Sequence, residues 1–238
     1  MSKEFKFKQF KVNQDKCAMK IGTDGVLLGA WVNPANSFSI LDIGTGTGII
    51  ALQMAQRTNA EIIDALEIDA DAFEQAVDNF EQSDWGDRLF CYHASLQEFV
   101  DEIEEEYDFI ISNPPFYNTT YKKGEISDKR ILARHSDSLS YTTLLELTSK
   151  LLSKKGICAF IIPFDQENTF LKLASENKLF LNRITRVKGT DSSPVKRSLL
   201  QLSFENSTIE ISELTIEIER HKYTQDYINL VKEFYIKM

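Results

Sequence analysis

Residues 42–48 read Asp42-Ile43-Gly44-Thr45-Gly46-Thr47-Gly48. They follow the apolar run Ser39–Ile43 and precede residues 49–56, whose apolar spacing predicts a helix. Alternating glycines between a strand and a helix let the backbone turn tightly and leave room for a ligand against the main chain. The helix beyond would offer free N–H groups and the positive end of its dipole. A dinucleotide-binding turn, G-x-G-x-x-G, would need its third glycine at position 49, which is Ile49. The spacing is instead G-x-G-x-G, preceded by the acidic Asp42. The next apolar run, Ile62–Ile68, carries Glu67 at its end, where a carboxylate can accept hydrogen bonds from two ribose hydroxyls. Asp69 is placed to cap the helix that follows.

Outward from this turn, apolar runs alternate with amphipathic stretches. Strands are predicted at Ser39–Ile43, Ile62–Ile68, Leu89–His93, Phe109–Ser112 and Ile157–Ile162, with helices over 70–82 and 140–152. Such alternation predicts an α/β fold: a Rossmann-like, mostly parallel seven-stranded sheet with helices on both faces. Near the end, 183–188 and 199–204 read as two strands joined only by the loop 189–194, an antiparallel hairpin closing the sheet. Residues 211–218 suggest one more strand. Tyr223, Tyr227, Leu230, Val231 and Phe234 form a helical stripe. One domain is expected over 1–238, with 1–38 a basic segment over the site and 39–238 the core.

The composition, 42% hydrophobic and 26% charged, is that of a folded soluble chain able to bury its own core. Cys17, Cys91 and Cys158 are scattered, with no CxxC pair or His/Cys cluster, so neither a disulfide framework nor a metal site is expected. No apolar run approaches a membrane span, and Met1–Lys20 lacks the pattern of a signal peptide. A cytoplasmic protein is expected.

The second chemical motif is Asn113-Pro114-Pro115-Phe116, which follows the strand ending at Ser112. Parallel-sheet topology puts that strand's C-terminal end beside the glycine turn. An exocyclic amine on a planar ring is a poor nucleophile because its lone pair is delocalised. Two acceptors that hold its N–H bonds favour the pyramidal geometry needed for attack. The Asn113 amide oxygen supplies one, and the Pro114 carbonyl supplies the other. Consecutive prolines stiffen the loop, and Phe116 offers a face on which a flipped base can stack. No general base is evident; a methylated amine can lose its proton to water.

The net charge of −9 argues against a nucleic-acid partner until its distribution is read. Residues 61–108 carry 17 acidic side chains against Arg88 alone. Basic groups concentrate in three other segments. One contains Lys8, Lys11 and Lys20, the second Lys122, Lys123, Arg130 and Arg134, and the third Lys196 and Arg197. Local field rather than net charge steers a polyanion. The second segment directly follows the Asn-Pro-Pro-Phe motif, within a loop long enough to be functional. The three segments are expected to converge on the active face, with the acidic stretch opposite.

On these residues the chain resembles the bacterial tRNA1(Val) adenine-N6 methyltransferases. The resemblance covers nearly the whole length. It includes Phe7–Phe10, Met19–Trp31 with Lys20 and Thr23 placed over the cofactor, the Asp42–Gly48 and Glu67 motifs, Asn113–Phe116, and Tyr223–Tyr235. It implies an enzyme that uses S-adenosyl-L-methionine and no metal, acts on tRNA, and has no obligate protein partner. Asp42, Gly44, Gly46, Gly48 and Glu67 match the family's cofactor motifs, and Asn113, Pro114, Pro115 and Phe116 its catalytic motif. One departure stands out. Where such enzymes commonly carry an Asp for the cofactor's adenine amine, this chain has Ala94-Ser95, which leaves Ser95 or a backbone group for that contact. The Asn-Pro-Pro-aromatic motif also serves enzymes that methylate guanine N2 in ribosomal RNA or a glutamine amide in protein, and a non-catalytic RNA-binding module is the reading outside enzymes.

Overall fold

The computed structural model describes residues 4–34, 36–115 and 139–238. First comes a short antiparallel pair, β1 (Glu4–Lys6) and β2 (Lys11–Asn13), followed by helix α1 (Thr23–Trp31). The sheet then starts with β3 (Ser39–Ile43), and α2 (Ile49–Arg57) leads to β4 (Ile62–Glu67). Helix α3 (Ala70–Glu81), β5 (Leu89–His93), α4 (Leu96–Glu102) and β6 (Tyr107–Ser112) follow. After residue 138 come α5 (Tyr141–Leu151), β7 (Leu152–Pro163), α6 (Glu167–Glu176), β8 (Phe180–Lys188), β9 (Val195–Ser203) and β10 (Glu210–Thr215). A small ribbon, β11 (Glu217–Glu219) with β12 (Lys222–Tyr223), and helix α7 (Gln225–Val231) end the order.

Strands β3 to β10 form one sheet in the order β10-β8-β9-β7-β6-β3-β4-β5. Only β9 runs against the others, paired antiparallel with β7 and β8. The expected hairpin is therefore present, with residues 189–194 as its loop. The sheet has eight strands rather than the seven expected, because Glu210–Thr215 adds in parallel along β8. The run read as one strand over 211–218 is divided. Its partner β8 ends at Lys188, and beyond that point Glu217–Glu219 turns back onto Lys222–Tyr223.

Strand β3 is buried along its whole length, as a central strand covered on both faces must be. On one face Leu27, Ile50 and Phe80 meet Tyr227 and Phe234 of the tail. On the other Phe99, Leu144, Leu145 and Phe170 pack together. Helix α1, which was not foreseen from the sequence, is fixed to β8. The Trp31 indole donates to the Thr185 hydroxyl at 2.8 Å, and the Arg183 guanidinium lies 3.8 Å from the centre of the Trp31 ring. Arg88, the lone cation of the acidic stretch, donates to the Ala55 carbonyl in the last turn of α2 and to the Ala60 carbonyl beyond it.

The N-terminal segment is held by polar side chains of α3 that are themselves buried. Asn79, 1% exposed, accepts from the Asn13 amide (2.8 Å) and donates to the carbonyls of Asn13 (2.9 Å) and Thr47 (2.8 Å). Gln75 accepts from the Lys16 amide at 3.0 Å. One side chain thus joins β2 to the glycine turn. Asn79→Ala should leave these backbone groups unpaired in a dry site and lower the unfolding free energy by about 2–4 kcal/mol, which urea denaturation would measure.

Candidate functional site

The C-terminal ends of the parallel strands line one rim of the sheet, and the motif residues meet there. Gly44, Gly46 and Gly48 all take positive φ, at 73°, 58° and 81°, a region that side chains with a Cβ rarely adopt. A Cβ added at Gly44 or Gly46 would meet nothing within 4 Å, whereas one at Gly48 would stand 2.6 Å from the Phe80 ring. The first two therefore face open space and the third is packed. The turn is fixed from β4: the Gly44 and Thr45 amides both donate to the Leu66 carbonyl at 2.9 Å.

Glu67 belongs to the same clamp. One carboxylate oxygen accepts from the Gly46 amide at 2.8 Å, and the other accepts from the Ile68 and Asp69 amides at 2.9 Å. The expectation of two ribose hydroxyls on this group therefore meets a carboxylate whose four lone-pair positions already receive three backbone donors. Asp69 caps α3 as expected, accepting from the Ala72 amide at 3.0 Å. Ile68 between them is 55% exposed, an apolar surface beside the turn that a strand reading passes over.

Asp42 lies beneath the glycines, fully buried. One oxygen accepts from the Thr45 hydroxyl at 2.6 Å, and the other has no partner. Burial pushes this carboxyl up to about 7, against the opposing pull of the Thr45 hydroxyl and the Ala51 amide. The sequence placed Asp42 at the ligand but did not show that it would be buried with one oxygen left without a partner.

The second motif stands on the adjacent strand. Ile43 and Ser112 are partners in the β3–β6 register, and the Ser112 hydroxyl donates to the Ile43 carbonyl at 2.7 Å. Gly44 and Asn113 thus leave neighbouring strand ends, which lie about 4.8 Å apart in a sheet. The Asn113 side-chain oxygen is buried and has no partner. Pro114 is buried and Pro115 exposed. Phe116, Lys122, Lys123, Arg130 and Arg134 lie outside the described residues.

Other expected contacts are engaged elsewhere. The Ser95 hydroxyl accepts from the Glu98 amide at 3.2 Å and donates to its carboxylate at 2.7 Å, so it caps α4. The Lys20 ammonium donates to the carbonyls of Gln14 and Cys17 and holds its own segment together. Thr23 is exposed in the first turn of α1 and lines a cleft with Lys196 and Arg197. Lys8 donates to the Lys232 carbonyl at 2.6 Å, Lys11 pairs with Glu4 at 3.3 Å, and Arg197 pairs with Asp24 at 2.7 Å. The N-terminal basic segment in part neutralises the acidic half: Lys16 bridges Glu74 and Asp78.

Residues 19–145 match the methyltransferase small domain. A tRNA1(Val) (adenine(37)-N6)-methyltransferase of Flavobacterium johnsoniae is 61% identical over 98% of this chain and 100% of its own. The protein of the same name from Christiangramia forsetii is 58% identical over 98% of both chains. The chain belongs to this methyltransferase family. Solved structures agree on the fold. A protein of Agrobacterium tumefaciens described as a predicted O-methyltransferase superposes with a TM-score of 0.68 at 17% identity, covering 89% of this chain and 96% of its own. A ribosomal protein L11 methylase of Lactobacillus delbrueckii subsp. bulgaricus gives 0.56 at 18%, covering 81% and 83%. Among the described residues no helix is long and apolar enough to cross a membrane.

A methyltransferase of this kind should carry a measurable cost at Asp42 when no ligand is bound. Its folded carboxyl titrates near 7, above its unfolded value of about 4. Between those values the folded chain retains a proton that the unfolded chain has lost, so stability falls as pH rises through that window. Asp42→Asn removes the effect. The unfolding free energy of the variant minus that of the wild type should rise by on the order of 1–3 kcal/mol from about pH 5 to about pH 8, as measured by urea denaturation.

Proposed function

We propose that this chain methylates the exocyclic N6 of an adenine in tRNA, namely the nucleotide at position 37 named for its relatives, with S-adenosyl-L-methionine as donor. The observation that carries this reading is the buried, unpartnered oxygen of Asn113, held by the Ser112–Ile43 contact beside an open glycine turn. A buried acceptor without a donor costs free energy, and a substrate N–H bond would satisfy it.

The residues present fit the cofactor. Gly44 and Gly46 leave space above the turn, the unpartnered Asp42 oxygen suits a cationic group, and exposed Ile68 suits an apolar ring edge. Asp42 would hold the ammonium end, and Glu67 would exchange its Gly46 contact for a ribose hydroxyl. When bound, this cofactor supplies a methyl group on a positively charged sulfur. The side chains do the rest by position. Asn113 and the Pro114 carbonyl accept the two N–H bonds of the amine and draw its lone pair out of conjugation with the ring. The two prolines keep those acceptors from following the substrate, so the ordering cost is met in the folded protein rather than at each turnover. The amine's surplus proton leaves to water.

Asn113→Ala should lower kcat by about a hundredfold or more while leaving cofactor affinity within about twofold of the wild type, as measured by calorimetry. Incubation with unmodified tRNA, followed by nucleoside mass spectrometry, should show N6-methyladenosine. N2-methylguanosine, or methyl label found only in protein, would overturn the assignment, as would full turnover by the variant. Cofactor affinity should also weaken as pH falls from about 8 to about 6, because the Asp42 carboxyl then regains the proton it must lose to face a cation.

A further inference from the structure

A groove of about 670 Å³ lies between the N-terminal strand and the tail, and the half-buried rings of Phe5, Tyr223 and Tyr235 help line it. It shares Thr23, Gly189 and Ile216 with a second cleft of about 320 Å³ that contains Lys196 and Arg197, so the two adjoin. The near end touches the catalytic rim. Arg197 is the register partner of Pro163 at the end of β7, and β7 is the neighbour of β6, the strand that carries Asn113. One path thus runs from the strand beside the amine-gripping loop, over the first turn of α1, to the aromatic tail.

The charge of this path is opposite to that of the chain. Lys6, Lys188, Lys196, Arg197 and Lys237 line it, against Asp24 and Glu217; Lys6 pairs with Glu4, Lys188 with Glu213 and Arg197 with Asp24, so Lys196 and Lys237 carry its cationic surplus, whereas the whole protein carries −9. The sheet order explains the contrast. The acidic stretch 61–108 supplies β4 and β5 at one edge, and the cationic end belongs to β8 and β9 near the other. Basic side chains that track a backbone, with aromatic faces beside them, are the requirements for holding unpaired nucleotides.

We infer that this groove binds the single-stranded RNA flanking the target nucleotide, with phosphates on its lysines and an unstacked base against the rings at its far end. The inference rests on the proposed action on tRNA and extends it to a surface outside the catalytic motif. Lys196 and Lys237 are exposed, so their reversal should not disturb folding. Lys155, at the start of β7 and therefore at the opposite end of the sheet, is the control.

Binding of unmodified tRNA would be followed by fluorescence anisotropy across a range of salt concentrations, with cofactor calorimetry as the check that each variant is folded. Lys196→Glu combined with Lys237→Glu should raise the tRNA Kd about tenfold or more and reduce the slope of log Kd against log salt by about 1–2. Lys155→Glu should stay within twofold of the wild type. Tyr223→Ala should weaken binding and Tyr223→Phe should restore it. If Tyr223→Ala fails to fold, the lysine reversals decide the question. Wild-type affinity and salt slope in the lysine double variant would overturn the groove, even if the enzyme methylates adenine in tRNA. Conversely, weakened binding in that variant together with no N6-methyladenosine from the wild type would sustain the groove and reject the assigned reaction. A wild type that does not bind tRNA would reject both.

Discussion

The structure depends on a turn that must adopt a left-handed backbone at three positions within five residues. Gly44, Gly46 and Gly48 make this possible, and their surroundings leave the turn little freedom. Leu66 holds its first amides, Glu67 holds the Gly46 amide, and Phe80 fills the space beside Gly48. Because all three restraints come from β4 and α3, the ligand-facing surface is set by the neighbouring strand and the helix after it, as well as by the turn itself. Asn79 extends the same restraint to the N-terminal segment. A site whose main-chain groups are positioned before the ligand arrives avoids their ordering cost on binding.

An acidic residue is buried beside this turn. A buried carboxylate with one unpartnered oxygen destabilises the folded chain, and the upward displacement of the Asp42 carboxyl expresses that cost. Such a cost persists where function requires it. Asn113 is the second case: another buried oxygen without a partner, on the adjacent strand end. Two unsatisfied acceptors thus stand on adjacent strand ends, the pair on which the proposed reaction draws. Ser95 and Ser112, on the same rim, are already paired within the protein.

Sheet order converts sequence charge blocks into a spatial gradient. The acidic stretch becomes the β4–β5 edge, the third basic segment becomes β8–β9, and β3 and β6, the strands that lead into the two motifs, lie between them. Most of the first basic segment is spent within its own neighbourhood: Lys16 goes to α3, and Lys6 and Lys11 both pair with Glu4, although Lys6 also lines the aromatic groove. A polyanion approaching this rim would meet favourable potential on the β8–β9 side of the target strand, a difference that steers orientation more than it adds affinity.

Residue order alone determined the α/β class, the strand–turn–helix at 39–57, the acidic end of β4, the Asp69 cap, the Asn-Pro-Pro strand end and the terminal hairpin. Each is a local pattern in which periodicity, glycine spacing or a capping residue carries its own signal. Four features were decided only by tertiary structure. The strand suggested over 211–218 joined the main sheet because Glu210–Thr215 found the open edge of β8. Helix α1 packs through Trp31 and Arg183, 152 residues apart in sequence. Ser95 serves as a cap rather than standing free at the site, and Lys20 folds back on its own segment. In each case the side chain could be identified from the sequence but its partner could not. Hydrogen-bond donors and exposed strand edges take whichever group the folded chain brings within about 3 Å, and that proximity does not exist until the sheet has assembled.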